Sequence, residues 1–117
     1  MSQALYERAR AADFILREVE PSISREVVMI SGGDFEPGSI LSLSDGKYGP
    51  LDVAHEDVVV LYARVDASET DKQGLVIARQ CSLKSSHLFW PEGISEADKA
   101  AVMKKMENKL LIVRGGH

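Results

Sequence analysis

Leu88-Phe89-Trp90-Pro91-Glu92-Gly93-Ile94-Ser95-Glu96-Ala97-Asp98-Lys99, followed by an Ala/Met/Lys-rich run into Leu110-Leu111-Ile112-Val113-Arg114, decides how this chain ends and limits what can precede it. Proline confines the residue before it to extended backbone and has no N–H for a ladder hydrogen bond, so an incoming strand is expected to stop at Trp90-Pro91. Ser95 stands three residues before Asp98, the spacing of an N-cap hydroxyl and a first-turn carboxylate, which predicts a helix from about Glu96. Along that helix Ala100, Val102, Met103, Met106 and Leu110 fall near one face, while Asp98, Lys104, Lys105 and Asn108 point elsewhere. Glu96 and Asp98 in the first turn and Lys104, Lys105 and Lys109 in the last turns complement the helix dipole, and the three lysines read as a solvated face. The apolar run from Leu110 to Val113 then closes the chain as a strand.

Upstream the pattern is mostly β. Val27-Val28-Met29-Ile30 is a β-branched run ended by Ser31-Gly32-Gly33. Ile40-Leu41-Ser42-Leu43 and Lys47-Tyr48 flank Asp45-Gly46, which supplies the positive φ angles of a tight hairpin. Val58-Val59-Val60-Leu61-Tyr62 is apolar at successive positions and is expected to be a central strand covered on both faces. A polar loop from Asp66 to Gly74 leads to Leu75-Val76-Ile77-Ala78, and Cys81 to Leu88 suggests a more exposed strand. Pro21, Ser22 and Ser24 read as a loop. Short strand-to-strand spacings leave no room for crossover helices before the C-terminal one, so the expected class is α+β, mainly β. Two parts are expected: an N-terminal arm, residues 1–20, and a single β-rich domain, residues 21–117. Residues 1–12 carry only a thin apolar stripe of Leu5, Ala9 and Ala12 for a possible helix. Phe14-Ile15-Leu16 is an apolar trio with no hairpin partner beside it.

At 117 residues, with 44% hydrophobic and 27% charged residues, the composition is that of one globular domain, and no apolar run approaches membrane-spanning length. A basic region followed by an apolar stretch and a cleavage site is not evident at the N-terminus, so synthesis in a cytoplasm is expected. The single cysteine, Cys81, excludes an intramolecular disulfide. A net charge of −4 argues against a nucleic-acid partner.

Candidate chemistry is sparse. Cys81 and His87 are possible parts of a thiol–imidazole pair, but extended backbone would hold them about 20 Å apart. His55-Glu56-Asp57 offers three metal-ligand types in a row, yet adjacent side chains on extended backbone diverge and no second cluster completes a shell. Ser31-Gly32-Gly33-Asp34 is followed by Pro37-Gly38 and lacks the lysine-bearing helix start of a phosphate loop. No catalytic, cofactor or metal site is therefore expected. Trp90, with Pro91, reads either as a packed structural corner or as the anchor of a subunit interface.

In this order, the Leu-x-Trp-Pro-Glu-Gly-Ile corner, the Ser-Glu-Ala-Asp-Lys helix start and the closing Leu-Ile-Val-Arg resemble the C-terminal part of the phage lambda head decoration protein D family. Glu36-Pro37-Gly38-Ser39-Ile40-Leu41, Gly46-Lys47-Tyr48-Gly49-Pro50-Leu51, Ala63-Arg64-Val65-Asp66-Ala67 and Asp71-Lys72-Gln73-Gly74-Leu75-Val76-Ile77 extend the similarity upstream. The resemblance implies a non-enzymatic virion protein that binds the major capsid (coat) protein on the outside of the expanded head as a homotrimer and cements the lattice. It also implies that the N-terminal arm engages the coat, and Phe14, Ile15 and Leu16 are the residues here that suit that role. The alternative is a small β-rich module whose arm docks a soluble partner.

Overall fold

The computed structural model describes residues 15–18 and 21–114. The chain enters as β1 (Ile15–Glu18), makes one helical turn, α1 (Pro21–Ser24), and continues into β2 (Arg25–Ile30) and β3 (Gly33–Phe35). A hairpin follows, β4 (Ile40–Ser44) and β5 (Lys47–Pro50), then β6 (Val58–Leu61), β7 (Val65–Ala67), β8 (Lys72–Ile77) and β9 (Cys81–Lys84). Helix α2 (Glu96–Glu107) and β10 (Leu111–Arg114) end it. The result is the mostly β domain with one C-terminal helix that the sequence pattern indicates.

Five strands close into a barrel in the order β2-β5-β4-β6-β8. β6 is central as expected: it pairs with β4 on one side and β8 on the other, and all four residues are buried. Its side chains alternate between two cores. Val59 and Leu61 join Ile30, Leu41, Tyr48 and Val76 in one cluster, while Val58 and Val60 join Ile77, Leu83, Val102 and Leu111 in the other. That alternation explains a strand without a polar face: one side fills the barrel cluster and the other carries the flanking layer. The hairpin also forms as expected, with Asp45 at φ 54° and Gly46 at φ 80° between the paired residues Ser44 and Lys47. Both central residues are thus left-handed, the geometry that matches strand twist in a two-residue hairpin loop.

On the flank lies a three-stranded sheet, β1-β9-β10, in which β9 is antiparallel to β1 and parallel to β10. A parallel pair needs a crossover, and α2 is that crossover. Ser95 caps the helix as the sequence indicates, its Oγ accepting from the Asp98 N–H at 3.1 Å, and Val102 and Met106 are buried beneath it.

Several local expectations are corrected. The segment after Cys81 is not an exposed strand: β9 sits in the middle of its sheet with Cys81 and Leu83 buried, and a 3-10 turn, Ser85–His87, separates it from the Trp90 corner. Pro21–Ser24 is a helical turn, and the Asp66–Gly74 loop is shorter than expected because β7 pairs with β3 and β8 begins at Lys72. Ala100 lies on the exposed side of α2. Leu110 belongs neither to the packed face nor to the strand: at φ 62° it reverses the chain after the helix and is 56% exposed. Nor do Lys105 and Lys109 form a solvated face. Lys105 Nζ donates to the carbonyls of Val53 and His55, and Lys109 Nζ donates to Asp57 Oδ1 at 2.6 Å and Val58 O at 2.9 Å, tying α2 to the loop before β6.

Candidate functional site

Three separated segments of the sequence converge at the Trp90-Pro91 corner. The Phe89 N–H donates to Gly38 O at 2.9 Å, the Ile40 N–H donates to Phe89 O at 3.3 Å, and the Gly38 N–H donates to Leu61 O at 2.8 Å. Gly38 is required here for two reasons: its φ is +92°, and a Cβ would lie 2.4 Å from the His87 carbonyl oxygen. Around this junction Phe35, Ile40, Pro50, Leu51, Phe89 and Trp90 line an apolar cleft of about 190 Å³, smaller than a typical small-molecule site. Trp90 is half-buried against the flanking core with Lys99 Nζ 5.8 Å from its ring centroid, while Phe89 is 47% exposed. The Trp90-Pro91 bond is trans. Trp90 therefore packs within the domain, and Phe89 presents the more open face.

The second region is the entry of the chain. Phe14 lies outside the described residues, as does the possible helix over residues 1–12. Ile15 is partly buried against the flanking core, and the strand it begins pairs with β9, Ile15 opposite Leu83 and Glu18 opposite Cys81, with an irregularity between Ile15 and Arg17. The pairing partner missing from the neighbouring sequence thus comes from the far end of the chain. Glu18 and Arg25 form a two-pronged ion pair, with both hydrogen bonds at 2.9 Å, and the Arg25 guanidinium stacks 4.4 Å from the Tyr62 ring centroid. The hydrogen bonds from Arg25 to Glu18 hold the guanidinium's proton even more firmly than usual. No periodicity announces this trio, because its members come from three separate segments of the chain.

The titratable groups singled out in the sequence are committed to structure. Cys81 is buried in β9, where desolvation pushes its thiol up to about 12, while His87 is exposed on the 3-10 turn with Nδ1 3.0 Å from Ser86 Oγ. A thiol in that state is no nucleophile. In His55-Glu56-Asp57 the side chains diverge: His55 faces Asp52 at 3.4 Å, Glu56 lies 3.8 Å from Lys105, and Asp57 accepts from Tyr48 Oη at 2.8 Å and from Lys109. Burial raises the Asp57 pKa, but the hydrogen bonds from Lys109 and Tyr48 outweigh it and leave this carboxyl below its ordinary value. Tyr48 is pushed well above the usual phenol range by burial and by the same contact. Among the described residues no group of three or more His, Cys, Asp or Glu is placed to hold a metal. Gly32, at φ +87°, turns the chain from β2 into β3. The larger depression, lined by Ser31, Ser42, Ser44, Lys47, Asp52 and His55, is open and polar. Its buried hydroxyl, Ser42 Oγ, already accepts from the Asp52 N–H at 2.9 Å.

Among the described residues the architecture is a closed barrel with an apolar junction on its flank and a flanking sheet whose outer strands are β1 and β10. A family model for bacteriophage lambda head decoration protein D matches residues 4–110, and the chain belongs to that family. No individually curated protein matches it. It is a decoration protein of a phage head that stabilises the capsid, a structural and not a catalytic role, and its place is the capsid surface of the virion.

Proposed function

We propose that this protein binds the major capsid (coat) protein on the outer face of the expanded head as a homotrimer, with the N-terminal segment around Phe14, Ile15 and Leu16 touching the coat. The observation that supports this reading is the position of β1. It is an edge strand, paired with β9 on one side and with no other described strand on the opposite side. An edge strand offers unpaired N–H and C=O groups to which a coat segment can add, with backbone hydrogen bonds supplying affinity. Three such segments on one rigid trimer bind a lattice far more tightly than one, provided the geometry lets them engage together. A ligand that binds only the expanded lattice stabilises that state by mass action. Phe89, exposed beside the packed Trp90-Pro91 corner, is the residue we assign to the contact between subunits.

The test is sedimentation of expanded heads of the protein's own phage with the full chain and with a variant lacking residues 1–16, which removes Phe14, Ile15 and Leu16. Saturable addition of the full chain, raised heat resistance of the heads and loss of addition on truncation support the reading. Equal addition by the truncated variant refutes the role of the segment. Sedimentation equilibrium of the free protein tests the trimer, and Phe89→Ala is expected to shift it toward monomer.

A further inference from the structure

β1 has few means of holding its place. It is four residues long, sits at an edge and carries an irregularity in its pairing with β9. Such a strand offers few hydrogen bonds against the backbone freedom it gives up. At its last residue, however, the Glu18 carboxylate receives Arg25 Nε and Nη2, each at 2.9 Å. Arg25 opens β2 in the barrel opposite Ile77, and Tyr62, under the guanidinium, follows β6 and donates its N–H to Leu75 O at 2.9 Å. The guanidinium is thus fixed along its edge by the carboxylate and across its face by the ring. The Glu18 side chain is only 11% exposed and that of Arg25 29%, so the pair is shielded where most surface pairs are screened.

The chain between the two residues is tied to one place as well. Ser24 Oγ donates to Gln80 O at 3.0 Å, the Ala78 N–H donates to Ser24 O at 2.7 Å, and Arg79 Nη1 donates to Ile23 O at 2.6 Å. All three contacts fall on the connection from β8 to β9. The segment entering the domain is therefore anchored to the barrel and to the flanking sheet at the point where the two meet.

We propose that the Glu18–Arg25–Tyr62 clamp is a positioning device: it pins the end of β1 to the barrel and so fixes where the coat-contacting strand lies before the coat is met. This rests on the proposed role of the N-terminal segment. An arm whose root is fixed gives up less freedom on docking than one that swings from a loose hinge, and the three arms of a trimer keep the spacing that simultaneous engagement requires.

The full chain, Glu18→Gln, Arg25→Lys and the charge-swapped double variant Glu18→Arg with Arg25→Glu are compared by hydrogen–deuterium exchange and by affinity for expanded heads. A variant lacking residues 1–16, which removes Phe14, Ile15 and Leu16 and keeps Glu18, is the control. Glu18→Gln is expected to speed exchange of the β1 amides and to weaken head binding, each about tenfold, the size of one charged hydrogen bond, with β6 exchange unchanged. Arg25→Lys keeps the charge but loses the fork, and does the same to a lesser degree; the swapped pair recovers most of both losses. Unchanged β1 exchange in Glu18→Gln overturns the clamp, as does faster exchange with undiminished head binding. If Glu18→Gln also loosens β6, the swapped variant decides, since restored head binding supports the clamp and its absence sinks it. The truncated control separates the two ideas. Should it bind heads like the full chain, the arm reading fails and the clamp has nothing to position; should it lose binding while Glu18→Gln does not, the arm reading survives and the clamp alone falls.

Discussion

The barrel and the sheet on its flank use the same kinds of strand-forming residue and end in opposite ways. Each barrel strand has a neighbour on both sides, and closure removes every edge. Among the described strands the flanking sheet, β1-β9-β10, is open, with β1 at one edge and β10 at the other. The proposed binding to the coat uses both properties. The closed part resists deformation when load is transmitted through it, and the open part retains backbone groups that another chain can pair with. The cores differ in the same sense: one cluster fills the barrel, whereas the other lies against a layer made of one helix and short strands.

The sharpest way to break this comparison is a matched pair of leucines. Leu61 in the barrel cluster and Leu83 in the flanking cluster are each 0% exposed. Leu61→Ala is expected to cost about 4 kcal/mol and Leu83→Ala about 3 kcal/mol in urea unfolding, because the open layer can settle into the void more readily than a closed barrel. Equal costs, or the reverse order, would remove the mechanical distinction. Gly38→Ala tests the junction of the two regions. The substitution strains a φ of +92° and drives a methyl against His87 O, so a loss of about 2 kcal/mol is expected, with the amide of Phe89 exchanging faster while the Asp45-Gly46 hairpin is unaffected.

Smaller effects probe the ties from α2 to the rest of the domain. Asp57 is held by Lys109 and Tyr48 and its folded pKa is depressed. Its contribution is therefore present above the unfolded carboxyl value, about 4, and fades as pH falls toward the lower folded one. Asp57→Asn is expected to cost under about 1 kcal/mol at neutral pH, solvent screening being considerable at a carboxylate this exposed. Melting temperatures of the two proteins should converge as the pH is lowered below about 4, and a constant gap would contradict the linkage. Smallest of all, Lys99→Ala removes the cation over Trp90 at 5.8 Å and should cost no more than about 0.5 kcal/mol, visible mainly as a change in Trp90 fluorescence.

How much of this was legible depended on sequence distance. The Asp45-Gly46 hairpin, the Ser95 cap and the burial of β6 are local facts, decided by φ preferences, a side chain three residues from its partner, and an unbroken apolar run. The helix face was harder. Val102 and Met106 are buried as their spacing implies, but Ala100 and Leu110 are exposed, because α2 is covered along a narrow line and Leu110 is spent on reversing the chain. The strand at Cys81, expected to be more exposed, lies mid-sheet, where Ser82 and Lys84 remain partly accessible on the face away from the core. Of the candidate site residues, Trp90 and Pro91 stand at the corner indicated by the proline, and Ile15 joins the sheet. The Glu18–Arg25–Tyr62 trio left no signal, since an ion pair across a turn onto a distant ring has no period to detect.

By itself the sequence determined the strand-rich class, the one capped helix, the tight hairpin and, through an ordered set of motifs, the family to which the chain belongs. These follow from backbone restriction and short-range spacing, which act over a few residues and are written directly in the residue order. Only the tertiary structure decided that the barrel closes, that β9 takes β1 and β10 as neighbours, that Lys105 and Lys109 bind backbone carbonyls and, for Lys109, the Asp57 carboxylate, and that Glu18 is gripped by Arg25. Each of these joins groups distant along the chain, and such contacts are selected by the sum of burial and polar satisfaction over the whole domain, which no single stretch of residues contains.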